Sequence, residues 1–91
     1  MSIVVRFNPQ SVGTEKYDAT VAKLESQGDW PPDGLDMHVA FGDEDNLRVS
    51  EILDSREQFE AFGERLMPVL EEAGINPGEP DVYEVHNLIK S

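Results

Sequence analysis

Apolar side chains fall at alternate positions in Ile3, Val5 and Phe7, the period of a strand whose two faces differ, so Ile3 to Asn8 is predicted as β-structure ended by Asn8-Pro9-Gln10. The period then lengthens. Tyr17, Val21 and Leu24 recur at helical spacing behind Thr14, a predicted N-cap with Glu15 in the first turn, and Gly28 closes this first helix. Asp29-Trp30-Pro31-Pro32-Asp33-Gly34 cannot be helical, because consecutive prolines lack N–H donors and force an extended path. Alternation resumes from Leu35 to Gly42, with Leu35, Met37, Val39 and Phe41 on one face and Asp36, His38, Ala40 and Gly42 on the other, so one face is expected to be core and the other more polar.

Gly42 to Asn46 reads as a hairpin loop, and a third strand is predicted from Leu47 to Asp54. Ser55 stands three residues before Gln58, the spacing of a capping box, and introduces the stripe Phe59, Phe62, Leu66, Val69, Leu70 and Ala73 of a second helix that Gly74 ends. Pro68 lies inside that stripe and predicts a kink, not a stop, because the apolar spacing continues past it. After the turn at Asn76-Pro77-Gly78-Glu79-Pro80, Asp81 to Ile89 is predicted as the last strand.

The order β-α-β-β-α-β predicts one α+β domain over residues 1–91, a ferredoxin-like split βαβ arrangement with a four-stranded antiparallel sheet and both helices on one face. The other face is left for a second subunit or a ligand to cover. With 91 residues the core is thin, since a chain of this size buries only roughly 60–65% of its unfolded surface, and a homodimer is the expected remedy. The absence of Cys removes disulfides, thiolate metal sites and a cysteine nucleophile.

Nineteen acidic against seven basic residues give a formal charge of −12, which repels phosphate-rich partners, so neither nucleic acid nor an anionic membrane is an expected partner. The same charge serves solubility or life in a salty cytoplasm, or else recruits a basic partner through Asp29 to Asp45, where six carboxylates occur without Lys or Arg. No apolar run approaches the roughly 20 residues of a spanning helix, nothing resembles a signal peptide, and a cytoplasmic location is expected.

The segment Val49-Ser50-Glu51-Ile52-Leu53-Asp54-Ser55-Arg56-Glu57-Gln58-Phe59-Glu60-Ala61-Phe62, a strand running into a capped helix, resembles the corresponding part of the dimeric α+β barrel superfamily, especially its antibiotic-biosynthesis-monooxygenase-like branch. The resemblance implies two ferredoxin-like sheets packed face to face as a homodimer, with a cavity in each subunit between sheet and helices. It also implies a range of activities, from cofactor-free oxygenases and small isomerases to haem-degrading oxygenases and proteins without a known reaction, so fold alone decides little. The haem-degrading members use an Asn on the first strand, a Trp and a helical His. Asn8 fits the first position, but Trp30 lies in a loop and neither predicted helix contains His, so haem is not expected and no cofactor is assigned.

Two histidines, His38 and His86, are the side chains best able to move protons near neutral pH. A tight hairpin sets His38 opposite Glu51, and a loop one residue wider sets it opposite Ser50. One reading makes His38 a catalytic base in or at the mouth of the cavity, with Arg6, Asn8, Trp30, Glu51 and His86 as substrate-binding candidates. The other makes His38 and His86 polar residues satisfied at a dimer interface, and Trp30 is open between a lid over a pocket and a plug on the sheet edge. His38, His86, Glu84 and Glu51 offer metal-ligating donors at spacings that match no ligand motif, so no metal is assigned. No Gly-x-Ser-x-Gly or Gly-rich phosphate loop occurs. Tyr17, Phe41, Phe59, Phe62 and Tyr83 sit mostly at core periods and read as packing. The function expected is binding of a small oxygenated or aromatic metabolite by a homodimer, with cofactor-independent monooxygenase or isomerase chemistry. The alternative is a noncatalytic homodimeric interaction or accessory module.

Overall fold

The computed structural model describes residues 1–90. Its elements follow the expected order: β1 (Ile3–Phe7), α1 (Thr14–Ser26), β2 (Leu35–Asp43), β3 (Asn46–Leu53), α2 (Arg56–Glu72) and β4 (Asp81–Glu84). All strand pairs are antiparallel in one sheet of order β2-β3-β1-β4, the ferredoxin-like arrangement. The order places the two strands that each precede a helix, β1 and β3, at the centre.

Local chemistry explains the boundaries. Both helices end in the same device, a glycine at positive φ beyond the last turn: the N–H of Asp29 reaches the Leu24 carbonyl around Gly28 (φ 78°), and the N–H of Ile75 reaches the Leu70 carbonyl around Gly74 (φ 72°). At the start of α2 the Ser55 hydroxyl accepts from the Gln58 N–H at 3.2 Å and donates to Gln58 Oε1 at 3.0 Å. The N-cap of α1 is Gly13 and not Thr14, and it makes no side-chain cap. Instead the Thr14 N–H donates to the Glu44 carbonyl and the Leu47 N–H to the Val12 carbonyl, tying the β1–α1 loop to the hairpin tip. A Cβ on Gly13 would stand 3.2 Å from that Glu44 oxygen, so the close approach favours glycine. The helix α2 passes through Pro68 as one element, its apolar face continuing into Val69 and Leu70.

Ile3, Val5 and Leu53 form the sealed centre beneath α2, with Phe7, Leu35, Phe59 and Val82 packed around them. Two further clusters join the helices: Leu24 with Phe62 and Val69, and Val12 with Leu70 and Ile75.

Two further expectations are corrected. The apolar parity of β2 is not its core face. An irregularity between Leu35 and Met37 turns Leu35 inward against Leu53, whereas Met37 and Val39 point to the helix-free side and are 45% and 42% exposed. The last strand is also shorter than Asp81 to Ile89. It ends at Glu84, because β1, its ladder partner, runs out at Ile3, and one further bond from the Val85 N–H to the Ser2 carbonyl closes the ladder. His86 is therefore an exposed residue beyond the strand.

Candidate functional site

The hairpin between β2 and β3 is tight. Asp43 pairs with Asn46, so the register carries His38 directly opposite Glu51, the first of the two alternatives that the sequence leaves open. On its other side Glu51 pairs with Val5 of β1. A carboxylate is thus placed in the middle of the helix-covered face of the sheet, where it is 3% exposed. Such a group is tolerated only when it is compensated. His38 supplies the compensation: its Nδ1 lies 2.6 Å from Glu51 Oε1.

The other ring nitrogen is engaged too. His38 Nε2 lies 2.7 Å from the hydroxyl of Tyr17, which α1 lowers onto the sheet from its inner face. An ionised Glu51 can only accept, so Nδ1 carries the proton shared with it; in a neutral imidazole Nε2 then accepts from the Tyr17 hydroxyl. The result is a chain from phenol to imidazole to carboxylate. Burial, followed by the charges of Asp18 and Glu51, pushes the Tyr17 pKa above its ordinary value of 10.0, so the phenol holds its proton at neutral pH.

Trp30 completes the group. Its ring meets His38 edge-on with centroids 4.9 Å apart and tilts against Phe62 at 6.1 Å. Tyr17 lies roughly parallel to the imidazole at 5.9 Å, so His38 is held between two aromatic rings as well as two hydrogen bonds. The Asp29–Arg65 ion pair, at 3.7 Å, ties the start of the Trp30 loop to α2, although its exposure makes it a weak tether.

These residues border a partly open cavity of about 90 Å³ between sheet and helices. Its walls are mainly apolar, from Val21, Leu24, Val49, Leu66, Leu70 and Ile75, and its polar side chains include Tyr17, Thr20, His38 and Glu51. Among the described residues no Lys or Arg lines it. A small apolar space with a few converging polar groups is the usual form of a small-molecule site.

Of the candidates drawn from sequence, His38, Glu51 and Trp30 come together at this cavity. Arg6 does not. It pairs with Ser50 and Asp81 on the opposite parity of β1, which directs it to the helix-free side. Asn8 is exposed and lines a separate polar depression with Ser11, Asp43, Asn46 and Arg48. His86 lies beyond β4. Among the described residues no three His, Asp or Glu side chains converge as metal ligands. Tyr17 is the member that periodicity assigned to packing alone. Its place on the inward stripe of α1 was legible, but nothing in a helical spacing says that the hydroxyl meets a histidine on a strand.

No family model matches the chain, and no curated protein matches it by sequence. Solved structures do share its fold. A protein assigned as an antibiotic biosynthesis monooxygenase from Chloroflexus aurantiacus superposes with a TM-score of 0.67 at 15% identity, covering 99% of this chain and 98% of that one. One of the same description from Deinococcus radiodurans gives 0.62 at 15% identity over 100% and 98% of the two chains. SnoaB, a cofactor-independent oxygenase from Streptomyces nogalater, gives 0.63 at 9% identity over 99% and 96%. The chain therefore has the ferredoxin-like fold of the antibiotic-biosynthesis-monooxygenase-like proteins over nearly its whole length, as the strand-to-helix segment around Glu51 implies.

Proposed function

We propose that the chain binds a small oxygenated or aromatic molecule in the cavity between sheet and helices and removes a proton from it, the step shared by a cofactor-independent oxygenase and an isomerase. The observation that carries this reading is the Tyr17–His38–Glu51 chain at the edge of an otherwise apolar space. A substrate O–H or acidic C–H gives its proton to the Tyr17 oxygen as the phenol's own proton passes to His38 Nε2. Glu51 stabilises the imidazolium that forms. The proton balance closes within the site: the substrate anion is left facing a neutral Tyr17 and an imidazolium–carboxylate pair. Return of the proton at a different carbon is an isomerisation. Capture of the anion's electrons by dioxygen, with loss of water from the resulting hydroperoxide, is a monooxygenation. The likeness to SnoaB supports the second course by fold alone.

The test uses simple probes. Small aromatic ketones and hydroquinones in deuterated buffer are followed by NMR for proton exchange and with an oxygen electrode for uptake. Tyr17→Phe, which removes one hydroxyl and keeps the ring, is expected to slow whichever reaction the native protein catalyses by roughly 10²–10⁴-fold. Equal rates for the two proteins would end this assignment.

A second copy of the chain covers the helix-free face in this proposal. Met37 pairs with Ile52, Ile52 with Val4 and Val4 with Tyr83, giving one apolar row across all four strands. Tyr83 is 62% exposed, so the row meets water in a single chain. A bare interaction module needs that face but gives no reason for an open cavity on the other side of the sheet.

A further inference from the structure

We infer that the free oxygen of Glu51 is the acceptor for a ligand's hydrogen bond, and that the cavity therefore selects non-anionic molecules presenting an N–H or O–H on an apolar body. This rests on the reading above that the cavity holds a small molecule. Glu51 lines the cavity, and only its Oε1 is engaged; Oε2 is buried and has no hydrogen-bond partner. An unpartnered carboxylate oxygen in an apolar setting is costly unless something arrives to satisfy it.

The neighbouring polar groups point the same way. The Thr20 hydroxyl already donates to the Lys16 carbonyl at 2.8 Å, the Tyr17 hydroxyl is shared with His38, and both His38 nitrogens are engaged. What these side chains still offer a ligand is lone pairs. An incoming carboxylate or phosphate would meet a buried carboxylate and no Lys or Arg, so anions are rejected by charge as well as by hydrogen-bond type. Arg6, the cation that would favour an acidic ligand, stands on the other side of the sheet.

Glu51→Gln tests the idea at one atom. The amide oxygen can still accept from His38, while the amide nitrogen replaces Oε2, so the free position turns from acceptor to donor. The probes are phenol and aniline, which donate, anisole, which lacks the donor, and benzoate, which is anionic. The chain's single Trp borders the site, so its fluorescence reports their binding. The native protein should bind phenol and aniline about tenfold or more tightly than anisole and exclude benzoate. In Glu51→Gln, phenol and aniline should weaken by a similar factor and anisole should gain. Equal binding of phenol, aniline and anisole by the native protein overturns the inference while leaving a ligand site intact. An unchanged preference in the folded variant overturns it too, since Oε2 would then not be the ligand's partner. Failure of all four probes to bind removes the ligand site itself, and the selectivity with it.

Discussion

The two faces of the sheet are made from alternate residues of the same strands, yet they are opposite in character. Beneath the helices Ile3, Val5 and Leu53 are 2%, 0% and 0% exposed, and the apolar field is interrupted by one hydrogen-bonded pair, His38 and Glu51. On the helix-free side Met37, Val39 and Tyr83 keep 45%, 42% and 62% of their surface in water, on the same face as Arg6, Ser50 and Asp81. The buried face thus holds the expensive polar groups and the open face holds apolar ones that a single chain leaves wet. Burial is concentrated under the helices, where a low dielectric strengthens each polar contact, and the proposed association falls to the other side.

The largest test of that contrast is a pair of truncations. Leu53→Ala removes a fully buried side chain from the sealed centre and should cost about 2–5 kcal/mol, a large share of the roughly 5–15 kcal/mol typical of a domain. Val39→Ala on the open side should change the stability of an isolated chain by only about 0.5 kcal/mol. Urea denaturation of both variants over a range of protein concentrations checks this. A Val39→Ala cost that grows with concentration would show the open face covered by a second copy, and a cost equal to that of Leu53→Ala at high dilution would break the contrast.

Next in size is a charge on the apolar row. Ile52 pairs with both Met37 and Val4 at its centre, so Ile52→Lys should weaken self-association by roughly 2 kcal/mol, or ~30-fold, read by analytical ultracentrifugation. A lysine on an open face can carry its ammonium into water, so the single chain should melt nearly as before. A native protein that sediments as a single chain at every concentration would remove the homodimer and leave the row unexplained.

The same contrast shows what could be read from residues alone. The element order followed from apolar periods and punctuation: Gly28 and Gly74 ended helices as expected, and Ser55 capped α2 through Gln58. The His38–Glu51 pairing was legible as one of two registers, because it depended only on hairpin length. The orientation of β2 was not. Met37, Val39 and Phe41 form its more apolar side, and period-2 alternation cannot say which side the helices cover, nor that the chain changes side beside Leu35. Arg6 was misplaced for a related reason. It was named with Asn8 as a substrate-binding candidate beside His38, but it alternates with the buried Val5 and so faces the other side of β1. Tyr17 joined the site through a contact between α1 and β2, a tertiary event that neither period encodes.

The smallest expected effect concerns Tyr17 and alkaline pH. Its pKa is raised in the folded chain above the ordinary 10.0, by burial first and then by Asp18 and Glu51. Below that value the phenol is protonated in both folded and unfolded chains, and its contribution to stability is fully present. As pH rises past it, the unfolded chain releases the proton first. The folded chain still holds it, so the contribution shrinks and is lost once pH passes the folded value. Urea denaturation at pH 7, 9, 10 and 11 should therefore show native protein and Tyr17→Phe differing by a constant amount up to about pH 10. Above it the native protein should fall more steeply. Parallel curves throughout would mean that the hydroxyl gains nothing from its setting beneath α1.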